Sequence, residues 1–82
     1  MLHGIRNVQP LKSFHLMLEF DSGERRIVDI RPFIHGPVFE PLKNEHFFKQ
    51  VKVDQDAGTI VWPGEIDLDP DVLYQNSQPH TI

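Results

Sequence analysis

The 82-residue sequence contains no cysteine, which excludes a disulfide framework and a thiolate metal site. A reducing, cytoplasmic setting is the expectation. No run exceeds three consecutive apolar residues, and Met1-Leu2-His3-Gly4 lacks the hydrophobic core of a signal peptide. Neither a membrane span nor export by that route is expected. Glycine is sparse at five residues, with Gly36 and Gly64 isolated, and there is no phosphate-cradling loop or Gly-x-Ser-x-Gly elbow. Nucleotide hydrolysis is thereby disfavoured, and no motif asks for a cofactor. The five histidines, His3, His15, His35, His46 and His80, are never three to five residues apart, so no local ligand pair for a metal exists.

Positive charge is missing from the last third of the chain. All eight Lys and Arg precede residue 54, where they face six acidic residues; residues 54–82 carry the other six acids and no Lys or Arg. A net charge of −4 makes direct nucleic-acid binding an unfavourable reading, because phosphate binding needs clustered cations. The one basic grouping, Arg25, Arg26 and Arg31, reads as a solvated hairpin with its charges paired across strands.

What is present is the pattern of a small α+β domain. Phe14, Leu16, Leu18 and Phe20 alternate with His15, Met17 and Glu19, the period of a strand with one buried face. Gly23 allows a three-residue loop with a bulge, which pairs Leu18 with Arg26, Leu16 with Val28, Met17 with Ile27, Glu19 with Arg25 and His15 with Asp29. The Asp-Ala-Gly of Asp56-Ala57-Gly58 repeats this turn chemistry and predicts a second hairpin with Val53 facing Val61. An N-terminal strand over Ile5 to Leu11, limited by Pro10, pairs beside the first hairpin. Pro32, Pro37 and Pro41 break the middle of the chain into single helical turns. Asn44 caps a helix of about six residues, and Asp69-Pro70-Asp71 starts another. The expected domain is 4–76: two antiparallel β-hairpins plus an N-terminal strand, packed with short helices. Residues 77–82 lack periodicity and read as a frayed tail.

Three candidate sites emerge. His15 and Asp29, adjacent in the hairpin register, place a carboxylate where it can orient an imidazole as a general base, although no nucleophile accompanies them. A hydrolase or metal enzyme would recruit His35 or His46 to this pair. Glu65, Asp67, Asp69 and Asp71 alternate as calcium ligands do, but Pro70 stiffens the loop, and neither Asn76 nor Gln78 closes it with a bidentate carboxylate. They read instead as an acidic surface able to attract a cationic partner. Trp62 and Tyr74 anchor interfaces as readily as they fill cores, and in so small a domain the core reading is the stronger.

Phe20-Asp21, Gly23-Glu24, Val28-Asp29-Ile30, Gly36-Pro37-Val38-Phe39, Gly58-Thr59-Ile60-Val61-Trp62-Pro63, Gly64, Asp67-Leu68, Pro70 and Leu73-Tyr74 occur in an order that resembles the bacterial family catalogued as domain of unknown function 2442, over about residues 5–75. Where that family has Asn-Gly before Asp-Leu, this chain has Gly64-Glu65-Ile66. The resemblance implies a stand-alone α+β domain with no catalytic residues to carry over. It also implies a second small protein as partner, in an arrangement similar to toxin–antitoxin pairs. The resulting expectation is a non-catalytic protein-binding or regulatory module whose partner is small and basic. The candidate contacts are Glu65, Asp67, Asp69, Asp71, Trp62 and Tyr74, and exposed sheet edges offer pairing with that partner or with a second copy in a homodimer.

Overall fold

The alternating segment forms the centre of a four-stranded antiparallel sheet in the computed structural model, which describes residues 3–80. Its first three strands are β1 (Ile5–Pro10), β2 (His15–Phe20) and β3 (Arg25–Asp29). The register of β2 with β3 is the one the charges and apolar residues select: His15 opposite Asp29, Leu16 opposite Val28, Met17 opposite Ile27, Leu18 opposite Arg26 and Glu19 opposite Arg25. Gly23, at φ +88°, turns the chain and donates its N–H to the Phe20 carbonyl at 2.8 Å. Between β1 and β2 the chain makes a helical turn at Lys12–Phe14, in which Ser13 and Phe14 both adopt positive φ.

Prolines keep the central elements short. A single 3-10 turn occupies Arg31–Phe33 and a seven-residue 3-10 segment Pro37–Lys43, and α1 (Glu45–Phe48) is one turn long rather than the six residues expected. Its cap is as expected, with Asn44 Oδ1 accepting from the Phe47 N–H at 3.0 Å. A second sheet contains β4 (Lys52–Asp54), β5 (Thr59–Trp62) and β6 (Ile66–Asp67). Here the expected pairing of Val53 with Val61 is off by one: Val53 faces Ile60 and Asp54 faces Thr59. The cause is Asp54, whose Oδ1 accepts from the N–H groups of Asp56 and Ala57 while its carbonyl accepts from Gly58, making a four-residue loop in place of a three-residue one. Helix α2 (Pro70–Gln75) begins at the predicted cap, with Asp69 Oδ1 accepting from the Asp71 N–H at 2.8 Å.

The chain end overturns the frayed-tail expectation over its described residues. Ser77–Pro79 form β7, which pairs antiparallel with β3 and completes the sheet in the order β1-β2-β3-β7. Ser77 is buried, and the His80 N–H donates to the Arg25 carbonyl at 2.9 Å. No apolar periodicity is needed to hold such a strand, because its backbone pairs and the Ser77 hydroxyl reaches two partners. The last two positions of the expected tail lie outside the described residues.

One core joins both sheets and the helices. Leu16, Leu18, Phe20, Val28 and Ile30 from the large sheet meet Ile60, Trp62 and Ile66 from the small one, with Leu42, Phe48 and Leu73 between. All of these are 7% exposed or less. No helix among the described residues is long and apolar enough to cross a membrane.

Candidate functional site

Five of the six acidic residues of the last third gather around two depressions beside the small sheet, an acidic pole, while Glu65 lies in the β5–β6 turn at the other end of β5 from Asp54. Local chemistry places each of them. Asp69 is held by its capping bond to α2, and Asp54 by the turn it closes. Glu65 sits at φ +62° after Gly64 at φ +87°, two successive left-handed residues that carry the chain from Trp62 to the opposing Ile66. Asp67 pairs with Val61 at the sheet edge, and Asp71 Oδ1 accepts from the His3 N–H at 3.0 Å. Asp67, Asp69 and Asp71 border a shallow depression of about 460 Å³ floored by Ala57 and Thr59. The Thr59 hydroxyl donates to the Leu68 carbonyl at 2.6 Å and closes that floor. Asp54 and Asp56 border a neighbouring depression with Lys52. Composition counted these two acids, but only the fold attaches them to the pole.

Outside this pole five of the six acids of the first 53 residues have counterions, Asp21 being the one without an ion pair among the described residues. Glu19 pairs with Arg6 and Arg25, Glu24 with Arg26, Asp29 with Arg31, Glu40 with Lys43 and Glu45 with Lys49. Six of the eight cations are thus engaged by acids from the first 53 residues. Among the described residues, Asp54, Asp56, Glu65, Asp67 and Asp69 enter no ion pair. The negative field of the pole therefore reaches solvent largely uncompensated.

Trp62 is unavailable to a partner. It is 1% exposed, its ring packs near Phe48, and its indole N–H donates to the Phe48 carbonyl at 2.8 Å. Tyr74 is half-buried and committed within the molecule: its hydroxyl meets the Glu24 carboxylate, the Arg26 guanidinium lies 4.3 Å over its ring, and His3 stacks on it at 3.9 Å. Two groups so close to one centroid must occupy opposite faces of the ring. Arg26 and then Tyr74 hold the Glu24 carboxyl below its ordinary range, and the Glu24 contact raises the Tyr74 hydroxyl above its own.

The His15 and Asp29 pair does not become a dyad. The two residues are register partners, yet Arg31 takes the Asp29 carboxylate with three contacts of 2.8–3.2 Å and pulls its pKa down to about 2. His15 Nδ1 lies 2.9 Å from the Ser13 carbonyl, which can only accept, so this contact uses an Nδ1–H on Ser13 and not on Asp29. Among the described residues no three His, Asp or Glu side chains converge as metal ligands. The basic grouping also divides. Arg25 is exposed beside Glu19, Arg26 turns in on Tyr74, and Arg31 is bound to Asp29.

A family model described as a protein of unknown function, DUF2442, matches residues 5–79. No curated protein and no solved structure matches.

Proposed function

We propose, for a chain that belongs to the DUF2442 family, a non-catalytic binding role in which the acidic pole recognises a cationic surface on a second small protein. A regulatory, antitoxin-like relation to that partner is the form this role takes. The observation that carries the reading is the asymmetry of counterions: among the described residues Asp54, Asp56, Asp67 and Asp69 of the pole lack an ion pair, while six of the eight Lys and Arg are paired elsewhere. A protein that neutralises its own charges in one region and leaves them open in another keeps the open set free to steer a partner. The depression between Asp67, Asp69 and Asp71 gives that field a shape into which lysine or arginine side chains fit.

The test is direct binding of the protein encoded next to this one, measured by calorimetry at low and high salt. The triple variant Glu65→Gln, Asp67→Asn, Asp69→Asn removes three charges, and asparagine retains the capping ability needed at position 69. Binding that weakens with salt and weakens at least tenfold in the triple variant supports the proposal. Absence of binding, or binding indifferent to both changes, rejects it.

A further inference from the structure

The large sheet has a covered face and an open one. Core side chains line the first; the residues that alternate with them form the second, and their arrangement is self-complementary. Across the four strands one row reads Gln9, Met17, Ile27, Gln78, each directly opposite the next in register. It is an amide, two apolar side chains and an amide, the same in either direction. On one side of this row Glu19 faces Arg25, and on the other His15 faces Asp29. Along β2 the order is imidazole, apolar, acid; along β3 it is base, apolar, acid.

From this the geometry points to a second copy of the chain as the occupant of the open face, packed sheet on sheet about a two-fold axis lying between the sheets. With the axis along the strands, Met17 of one copy covers Ile27 of the other, Glu19 covers Arg25 and His15 covers Asp29. With the axis across the strands, Met17 and Ile27 each meet themselves, Arg25 covers Asp29 and Glu19 covers His15. Both arrangements bring apolar groups onto apolar groups and opposite or hydrogen-bonding groups onto each other, with Glu19 and Asp29 sharing their carboxylates between the second copy and their own Arg6, Arg25 and Arg31.

Edge pairing is the competing route to a dimer, and both edges of this sheet are handicapped. Pro79 has no N–H to offer from β7, and the Ser77 carbonyl is already bonded to Arg26 at 2.9 Å. On β1, Pro10 likewise lacks a donor, and the Ile5 N–H is bonded to the Gly58 carbonyl at 3.0 Å. The face carries no such obstruction: Gln9, Arg25 and Gln78 are exposed. Glu19 is pre-organised, accepting from Asn7 Nδ2 at 2.6 Å and Arg6 at 3.3 Å, so little side-chain freedom is lost there on docking.

The size of the face sets the strength. Four strands at about 4.8 Å spacing and about five residues at 3.3 Å give a patch roughly 19 Å by 17 Å. Two such patches cover roughly 650 Å² in total, short of the roughly 1,000 Å² of a stable specific interface, so the dimer is a weak one with a Kd of tens of micromolar or above.

Sedimentation of the full chain from about 1 μM to about 500 μM tests this, a range that brackets weak association. The variants are Ile27→Arg, which puts like charges at the centre, and Arg25→Glu, which reverses one flank. Val38→Arg is the control, on an exposed side chain of the Pro37–Lys43 turn. The expected result is a concentration-dependent dimer whose Kd rises at least tenfold in either face variant and stays unchanged in the control. Should Ile27→Arg disturb folding by circular dichroism, Arg25→Glu decides alone. A monomer throughout, or a dimer that survives the face variants, overturns the inference.

Discussion

The Tyr74 hydroxyl lies 2.9 and 3.1 Å from the two carboxylate oxygens of Glu24, fifty residues away in the chain. Through this contact the final helix is locked to the turn of the first hairpin, while Arg26 and His3 cover the two faces of the ring. Tyr74→Phe keeps the ring and loses only the hydroxyl, whereas Tyr74→Ala also leaves Arg26 and His3 without their stacking surface. The alanine variant is therefore the less stable of the two, and both fall below the parent in urea unfolding midpoint.

The pH dependence arises from the same contacts. Asp29, Glu19 and Glu24 are all held below their ordinary values: Asp29 mainly by Arg31, Glu19 by Asn7 and Arg6, and Glu24 by Arg26. Carboxyls depressed by folding add stability that is complete above the unfolded values of 3.8 for Asp and 4.5 for Glu, and it is lost as pH falls through the folded ones. Tyr74 is shifted upward, so its contribution is present below pH 10.0 and is lost as pH rises through the folded value. Urea titrations across pH should show an acid limb beginning near pH 4.5 that is shallower in Asp29→Asn, and an alkaline limb above pH 10 that Tyr74→Phe removes.

Ser77 is the side chain that makes the last strand necessary. Its hydroxyl accepts from Arg26 Nε and donates to the Tyr74 carbonyl at 2.6 Å, and it is 4% exposed. Ser77→Ala strands both partners in a half-buried setting and should cost about 1–3 kcal/mol, read from the denaturation midpoint. Truncation after Asn76 should cost more, since the backbone pairs of β7 go with it.

Trp62→Phe separates packing from hydrogen bonding in the core. The smaller ring leaves a void, and the Phe48 carbonyl loses its buried donor. A loss of about 2–4 kcal/mol is expected, combining an unsatisfied acceptor with a cavity. Because Trp62 lies away from the acidic pole's solvent surface, partner binding by the folded fraction should be unchanged, which calorimetry on the same variant checks.

Gly23 at φ +88° is the turn residue on which the first register depends. Gly23→Ala should lose about 1–2 kcal/mol through left-handed backbone strain, with Gly23→Asn losing less. Hydrogen exchange at the Phe20 and Gly23 amides, which close the tip, would show it loosening first.

Short-range chemistry controls everything that could be read from the residues in order. Alternation and the Asp-Ser-Gly loop predict the register of β2 with β3, and Asn44 and Asp69 announce their helix starts, because capping and turn formation need only neighbours along the chain. The acidic pole is visible in outline from charge counting. Its open state is not, since whether an acid finds a cation depends on which groups meet: the register puts Asp29 beside His15, yet its carboxylate is bound to Arg31. Distant contacts settle the rest. β7 exists because Arg26 and the β3 backbone supply partners for Ser77, Tyr74 is a clasp because Glu24 and His3 arrive from elsewhere, and Asp54 moves the second hairpin by one residue through a side-chain bond that composition does not distinguish from exposure. Local preferences are each worth little and act over a few residues; pairing between remote groups is decided by the packing that brings them within reach.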